Sequence, residues 1–194
     1  MNRILRNLLP SLVLVALFVA PGCADREVPT ALAPATAPSL GQGSTPDLSH
    51  VATFRKRPSL TIAWAKKWIG PEGGRLDFQG FAIVVPAGAV DKVTQFSISL
   101  PVDPQGSERV VAEFGPHNQL FAQPVTIELP YQGTSIEAST TATIVWWDGE
   151  WVNMGASRTA DGLRLKTQTY HFSTYATTSD FVGTRSGTLS TSGG

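Results

Sequence analysis

The sequence predicts an all-β fold: an antiparallel β-sandwich of roughly nine to ten short strands, preceded by a signal peptide and a disordered Pro/Ala/Ser/Thr-rich tether. Three observations carry this. From Leu60 to about Ala176, short apolar runs alternate with polar residues at the period of two expected of half-buried strands. Turn formers separate the runs: Pro71-Glu72-Gly73-Gly74, Pro86-Ala87-Gly88 and Asp103-Pro104-Gln105-Gly106. The chain holds 18 Gly and 14 Pro, and no stretch of this region requires a long helix, which together suit a sandwich or barrel.

In chain order, the first strand is expected over Leu60–Trp68, ending at the Pro71 turn, and the second over Arg75–Phe78. Phe81–Val85 follows, closed by Pro86-Ala87-Gly88; then come Gln95–Leu100, Val110–Phe114 and Val125–Leu129. Thr143–Trp147 and Glu150–Met154 form a hairpin, in which Asp148-Gly149 supplies the two positive-φ positions of a type I′ turn. That turn pairs Trp147 with Glu150 and sets Trp146 against Trp151. Leu163–Gln168 and His171–Ala176 complete the set.

The N-terminus reads as an export signal. Arg3 and Arg6 precede an apolar run of 13 residues, Leu8–Ala20, broken only by Pro10 and Ser11. That length fits the h-region of a signal peptide and is short for a membrane span. Cys23, the sole cysteine, follows Ala20-Pro21-Gly22, which resembles the lipobox of bacterial lipoproteins. The expected organisation is a lipoprotein signal peptide over 1–22 and a lipidated Cys23 opening a flexible tether over 23–58. A β-sandwich domain over 59–177 and a disordered Ser/Thr/Gly tail over 178–194 follow. The alternative is an ordinary secretory signal cut after Ala24. Acylation of Cys23 would hold the protein on a bilayer, each buried methylene contributing about 0.8 kcal/mol. Ala24, rather than Asp, after the cysteine favours the outer membrane or cell surface. The basic cluster Arg55-Lys56-Arg57 closes the tether, as a solvated linker face or a contact with anionic lipid or glycan.

Without residues 1–22 the chain has 13 basic and 15 acidic residues, so it lacks the basic footprint of a nucleic-acid binder. His50, His117 and His171 are far apart, with no cysteine pair and no dense carboxylate loop, so no metal is expected. Catalytic-serine, P-loop and dinucleotide motifs are absent; no cofactor and no conventional enzyme activity are predicted.

The β region resembles the ZU-type (ZU-five) domain. The resemblance rests on Gly73-Gly74-Arg75-Leu76 with Ile83-Val84-Val85-Pro86-Ala87-Gly88-Ala89-Val90, and on Phe114-Gly115-Pro116 with Phe121–Tyr131. Trp146–Trp151 and His171–Ala176 complete it, and the matching stretches span about 110 residues in the family's order. It implies a β-sandwich used mostly for structural or protein-interaction purposes, here with an unknown protein or glycan partner. It also singles out His171-Phe172-Ser173. In some members this triplet cuts its own backbone, with Ser173 as nucleophile and His171 as base, and the alternative is a buried, structural final strand. Trp64, Trp147 and Trp151 are candidate sugar-stacking rings, with packing as the alternative.

Overall fold

The computed structural model describes residues 46–59, 62–101 and 108–181. Among the described residues, eleven strands form two antiparallel sheets with no helix between them, an open sandwich rather than a closed barrel. They are β1 (Trp64–Ile69), β2 (Gly74–Phe78), β3 (Phe81–Val85), β4 (Thr94–Ser99), β5 (Val111–Gly115), β6 (Val125–Pro130), β7 (Thr143–Trp147), β8 (Trp151–Asn153), β9 (Ser157–Arg158), β10 (Arg164–Thr169) and β11 (Thr174–Thr178). One sheet runs β1-β4-β5-β11-β7-β8 and the other β2-β3-β6-β10-β9.

Alternation decides what each strand buries. In β4, Thr94, Phe96 and Ile98 turn inward while Gln95, Ser97 and Ser99 face out. In β6, Val125, Ile127 and Leu129 do the same, opposite Ile83 of β3 and Leu165 of β10. The centre is aromatic: Phe172 lies 4.8 Å from Phe121 and 5.9 Å from both Phe96 and Phe114, ring centre to ring centre. Tyr175 is fully buried and donates its hydroxyl to the His171 carbonyl at 2.8 Å. Burying each such side chain contributes about 1.5–3 kcal/mol, so this cluster outweighs any surface ion pair.

Several local expectations are revised. The first strand begins at Trp64, and β9 is an additional strand. The turn Asp103–Gly106 lies outside the described residues. The β7–β8 hairpin closes through three residues rather than two, with Trp147 opposite Trp151 and Trp146 opposite Val152. Only Gly149 has positive φ there, so a type I′ turn cannot form, and the shift brings both outward rings into edge-to-face contact at 5.2 Å. The two-residue turn with positive φ at both positions lies instead between β2 and β3, at Gln79 (φ 50) and Gly80 (φ 85).

Residues 46–58, assigned from composition to the tether, pack on the sandwich. Leu48 and Val51 cover Val111, Val145 and Ala176 on the outer face of the six-stranded sheet. Ala52 then threads between the ends of β5 and β11: its amide donates to the Thr177 carbonyl, and its own carbonyl accepts from Val110, both at 2.8 Å. Thr53 and Phe54 bridge to Arg109 and Thr134, and Phe54 meets the Phe81 ring edge-on at 6.4 Å. Arg55 pairs with Glu137 at 2.9 Å, and Arg57 with Glu108. Two members of the basic cluster therefore fasten this segment to the domain.

Candidate functional site

The outer face of the five-stranded sheet carries a concavity built from non-contiguous strands. Arg75 stands opposite Val84, Val84 opposite Thr126, and Thr126 opposite Gln168. The next row runs Asp77, Ala82, Glu128, Lys166 and Ser157. The turn from Met154 to Ser157 rises beside these rows and encloses an open groove of about 680 Å³. That volume lies within the range of ligand-binding clefts.

The floor of the groove is held by charge. The Arg75 guanidinium donates to both Glu128 oxygens, at 3.0 and 2.7 Å, and to both Asp77 oxygens, at 2.7 and 2.8 Å. Arg164 donates to Glu128 at 3.1 Å and to the Gly80 carbonyl at 2.9 Å. Glu128 is only 7% exposed, so its charge depends on these donors. Hydrogen bonds from Arg75 hold the carboxyls of Glu128 and Asp77 below their usual range, against the opposing pull of burial. Among the described residues, no hydrogen bond engages the side chains of Thr126, Lys166 or Gln168. A rigid ion-paired base thus lies beside an ammonium, an amide and a hydroxyl that remain available. Sequence reading missed this site because its members come from five strands. The signal present was charge at outward positions of β-runs, at Arg75, Glu128 and Lys166.

The tryptophans divide into two groups. Trp64 and Trp68 stand on the same outward face of β1, 53% and 64% exposed, with the Lys66 ammonium 5.1 Å from the Trp64 ring centre. Trp151 is half-buried; its indole NH donates to the Asp47 carbonyl at 2.6 Å, and its ring packs on Trp147 and the N-terminal segment. Trp146 turns the other way and meets the His171 ring at 4.7 Å. Trp68 completes the exposed pair through its spacing of four along a strand.

His171, Phe172 and Ser173 precede β11 rather than lying within it. The Ser173 hydroxyl donates to the Trp147 carbonyl at 2.9 Å, while the His171 ring packs on Trp146. Phe172 is buried at the centre of the aromatic cluster. Among the described residues, the non-glycine residues with left-handed backbone are Gln79, Asn118 and Asp180, none of them in the triplet. In this geometry the triplet ties the core to the β7–β8 hairpin. His117 contacts Glu113 at 2.7 Å, and among the described residues no three His, Cys, Asp or Glu side chains gather where they could hold a metal. Cys23 lies outside the described residues. No protein-family model matches the chain, and a search of curated proteins finds no match.

Two outcomes follow from these contacts. Glu128→Gln lowers stability by about 1–3 kcal/mol near neutral pH, in chemical denaturation. Because the Glu128 carboxyl titrates below its usual range in the folded state, its contribution is present above the unfolded pKa and fades as pH falls through the folded one. The gap between variant and wild type should therefore close in acid, and a gap independent of pH would contradict the ion-pair assignment. Ser173→Ala should cost about 0.5–1.5 kcal/mol through the lost bond to Trp147 and leave the chain mass unbroken, as in wild type. A wild-type fragment beginning at Ser173 and absent from the variant would show instead that the triplet cleaves.

Proposed function

We propose that this is an exported envelope or cell-surface lipoprotein, anchored through Cys23, whose β-sandwich serves as a structural or protein-interaction module. The observation that carries the interaction reading is the groove on the five-stranded sheet. It joins a fixed ionic floor to the uncommitted Thr126, Lys166 and Gln168 side chains and the apolar flank of Val84 and Met154. Such a mixture suits contact with a polar partner surface better than enclosure of a small apolar ligand. The anchor reading rests on Cys23 at the end of the h-region, and the family reading on the ZU-type resemblance, whose members serve mostly as interaction modules.

A carbohydrate contact is the second reading, favoured by the exposure of Trp64 and Trp68 on one strand face. Packing of Trp147 and Trp151 confines that reading to β1.

In expressing cells, a photoreactive amino acid at Gln168 should yield a discrete adduct in the membrane fraction, and one at the exposed Thr140 should not. Lys166→Glu should weaken the Gln168 adduct severalfold. Equal labelling at both positions, or none at Gln168, would remove the groove as the contact surface. The intact mass of the same material should begin at Cys23 and carry acyl chains.

A further inference from the structure

The outer face of the six-stranded sheet is covered only in part. Across β5, β11, β7 and β8 the face is covered by Leu48 and Val51, which pack on Val111, Val145, Ala176 and Trp151. Across β1 and β4 it is open. There Trp64 stands opposite Ser99, Lys66 opposite Ser97, and Trp68 opposite Gln95. Val93, one residue before β4 and in step with its outward series, is 61% exposed. The open part is therefore two indoles and an aliphatic side chain around a lysine, at the edge of a sheet.

The spacer to Cys23 joins the domain on this same face. Pro46, the first described residue, lines a small groove with Leu48, Ser99 and Glu113. Ser99 is the cross-strand partner of Trp64. A lipid anchor acting through Pro46 therefore attaches to the domain on its Trp64 side. Indoles and lysines are the side chains suited to that boundary, the rings seated among headgroups and the ammonium reaching anionic phosphate. Trp64 and Trp68 lie about 13 Å apart along a single strand, so both can meet a plane at once.

The geometry points to the β1–β4 face as a bilayer-docking surface, with Trp64 and Trp68 as interfacial anchors and Lys66 as the contact to anionic headgroups. This rests on the anchor reading of Cys23. The charged residues on or next to these two strands are Lys66, Lys67, Glu72, Asp91 and Lys92, Glu72 being turned to the Gly70 amide, and Glu113 lies two strands in. Lys67 is turned toward the other sheet, donating to the Arg75 carbonyl at 2.8 Å, and Glu113 is engaged by His117. Lys66 stands between the two indoles on the same strand face, its ammonium over the Trp64 ring. Docking on this side leaves the groove of the five-stranded sheet, on the opposite face of the sandwich, turned away from the membrane.

The test uses the full lipidated chain in vesicles of phosphatidylglycerol and bromine-labelled phosphatidylcholine, with tryptophan emission as the readout. Wild type should be quenched relative to unlabelled vesicles. The Trp64→Phe/Trp68→Phe double variant should lose that quenching, Trp147→Phe should retain it, and Lys66→Glu should reduce it. The rings replaced are exposed, so the double variant should keep its fold, checked by thermal melting. Absence of quenching while the protein floats with the vesicles would overturn docking and leave the anchor standing. A chain that neither floats nor begins at Cys23 would overturn the anchor, and docking with it. Emission that ignores vesicles but responds to soluble β-linked oligosaccharides, and loses that response in the double variant, would replace the bilayer with a glycan.

Discussion

The organisation of the molecule depends on how residues 46–55 close the outer face of the six-stranded sheet. Without them, Val111, Val145 and Ala176 would form an apolar patch on the domain surface, a site for association with other chains. With them, Val51 is 4% exposed and Ala52 is 3% exposed. Burial of a valine-sized side chain contributes about 1.5–3 kcal/mol, and the main-chain bonds of Ala52 to Thr177 and Val110 each contribute about 1 kcal/mol. The indole of Trp151 and the Thr178 hydroxyl then hold the carbonyls of Asp47 and His50, at 2.6 Å each. The segment is thereby part of the sandwich, and a pull at its N-terminal end acts on β5, β11 and β8 rather than on a free linker.

That attachment gives the two faces of the sandwich different characters. One receives the chain from the N-terminus and leaves Trp64 and Trp68 open beside it. The other carries an ionic lattice in which Glu128 is surrounded by Arg75 and Arg164. A buried carboxylate is costly unless fully paired, so the lattice serves rigidity more than net stability. The apolar core between the sheets supplies most of the favourable free energy, and in it Phe172 contacts Phe96 and Phe114 of the six-stranded sheet, Phe114 in turn meeting Phe81 of the other.

Short apolar runs bounded by turn formers were legible from residues alone. Thr143–Trp147 appears with the bounds expected of it, as does Phe81–Val85, because turn formers delimit these runs. Residues 46–58 were not legible. Val51 and Phe54 are isolated apolar residues in a Pro- and Ser-bearing stretch, and nothing local shows that distant strands leave a space for them. The hairpin register failed for a related reason. Asp148-Gly149 satisfies a two-residue turn locally, while contact between Trp147 and Trp151 favours one residue more. The groove was hidden because pairing, not sequence proximity, brings Arg75, Thr126 and Gln168 into one row. The exposed tryptophans were half legible: composition marked them, but only the sheet shows that β1 is an edge strand whose outward rings stay uncovered.

Hydrogen exchange on the full chain tests the central claim, that residues 46–55 belong to the sandwich. The amides of Ala52 and Phe54, which donate to Thr177 and Glu108, should be protected to the same degree as those of Val110 and Thr177 and should open with them. Rapid exchange at Ala52, Phe54 and Val110, whose amide depends on the Ala52 carbonyl, with Thr177 still protected, would make the segment a linker after all. It would also remove the geometric reason for setting the Trp64 face toward the membrane.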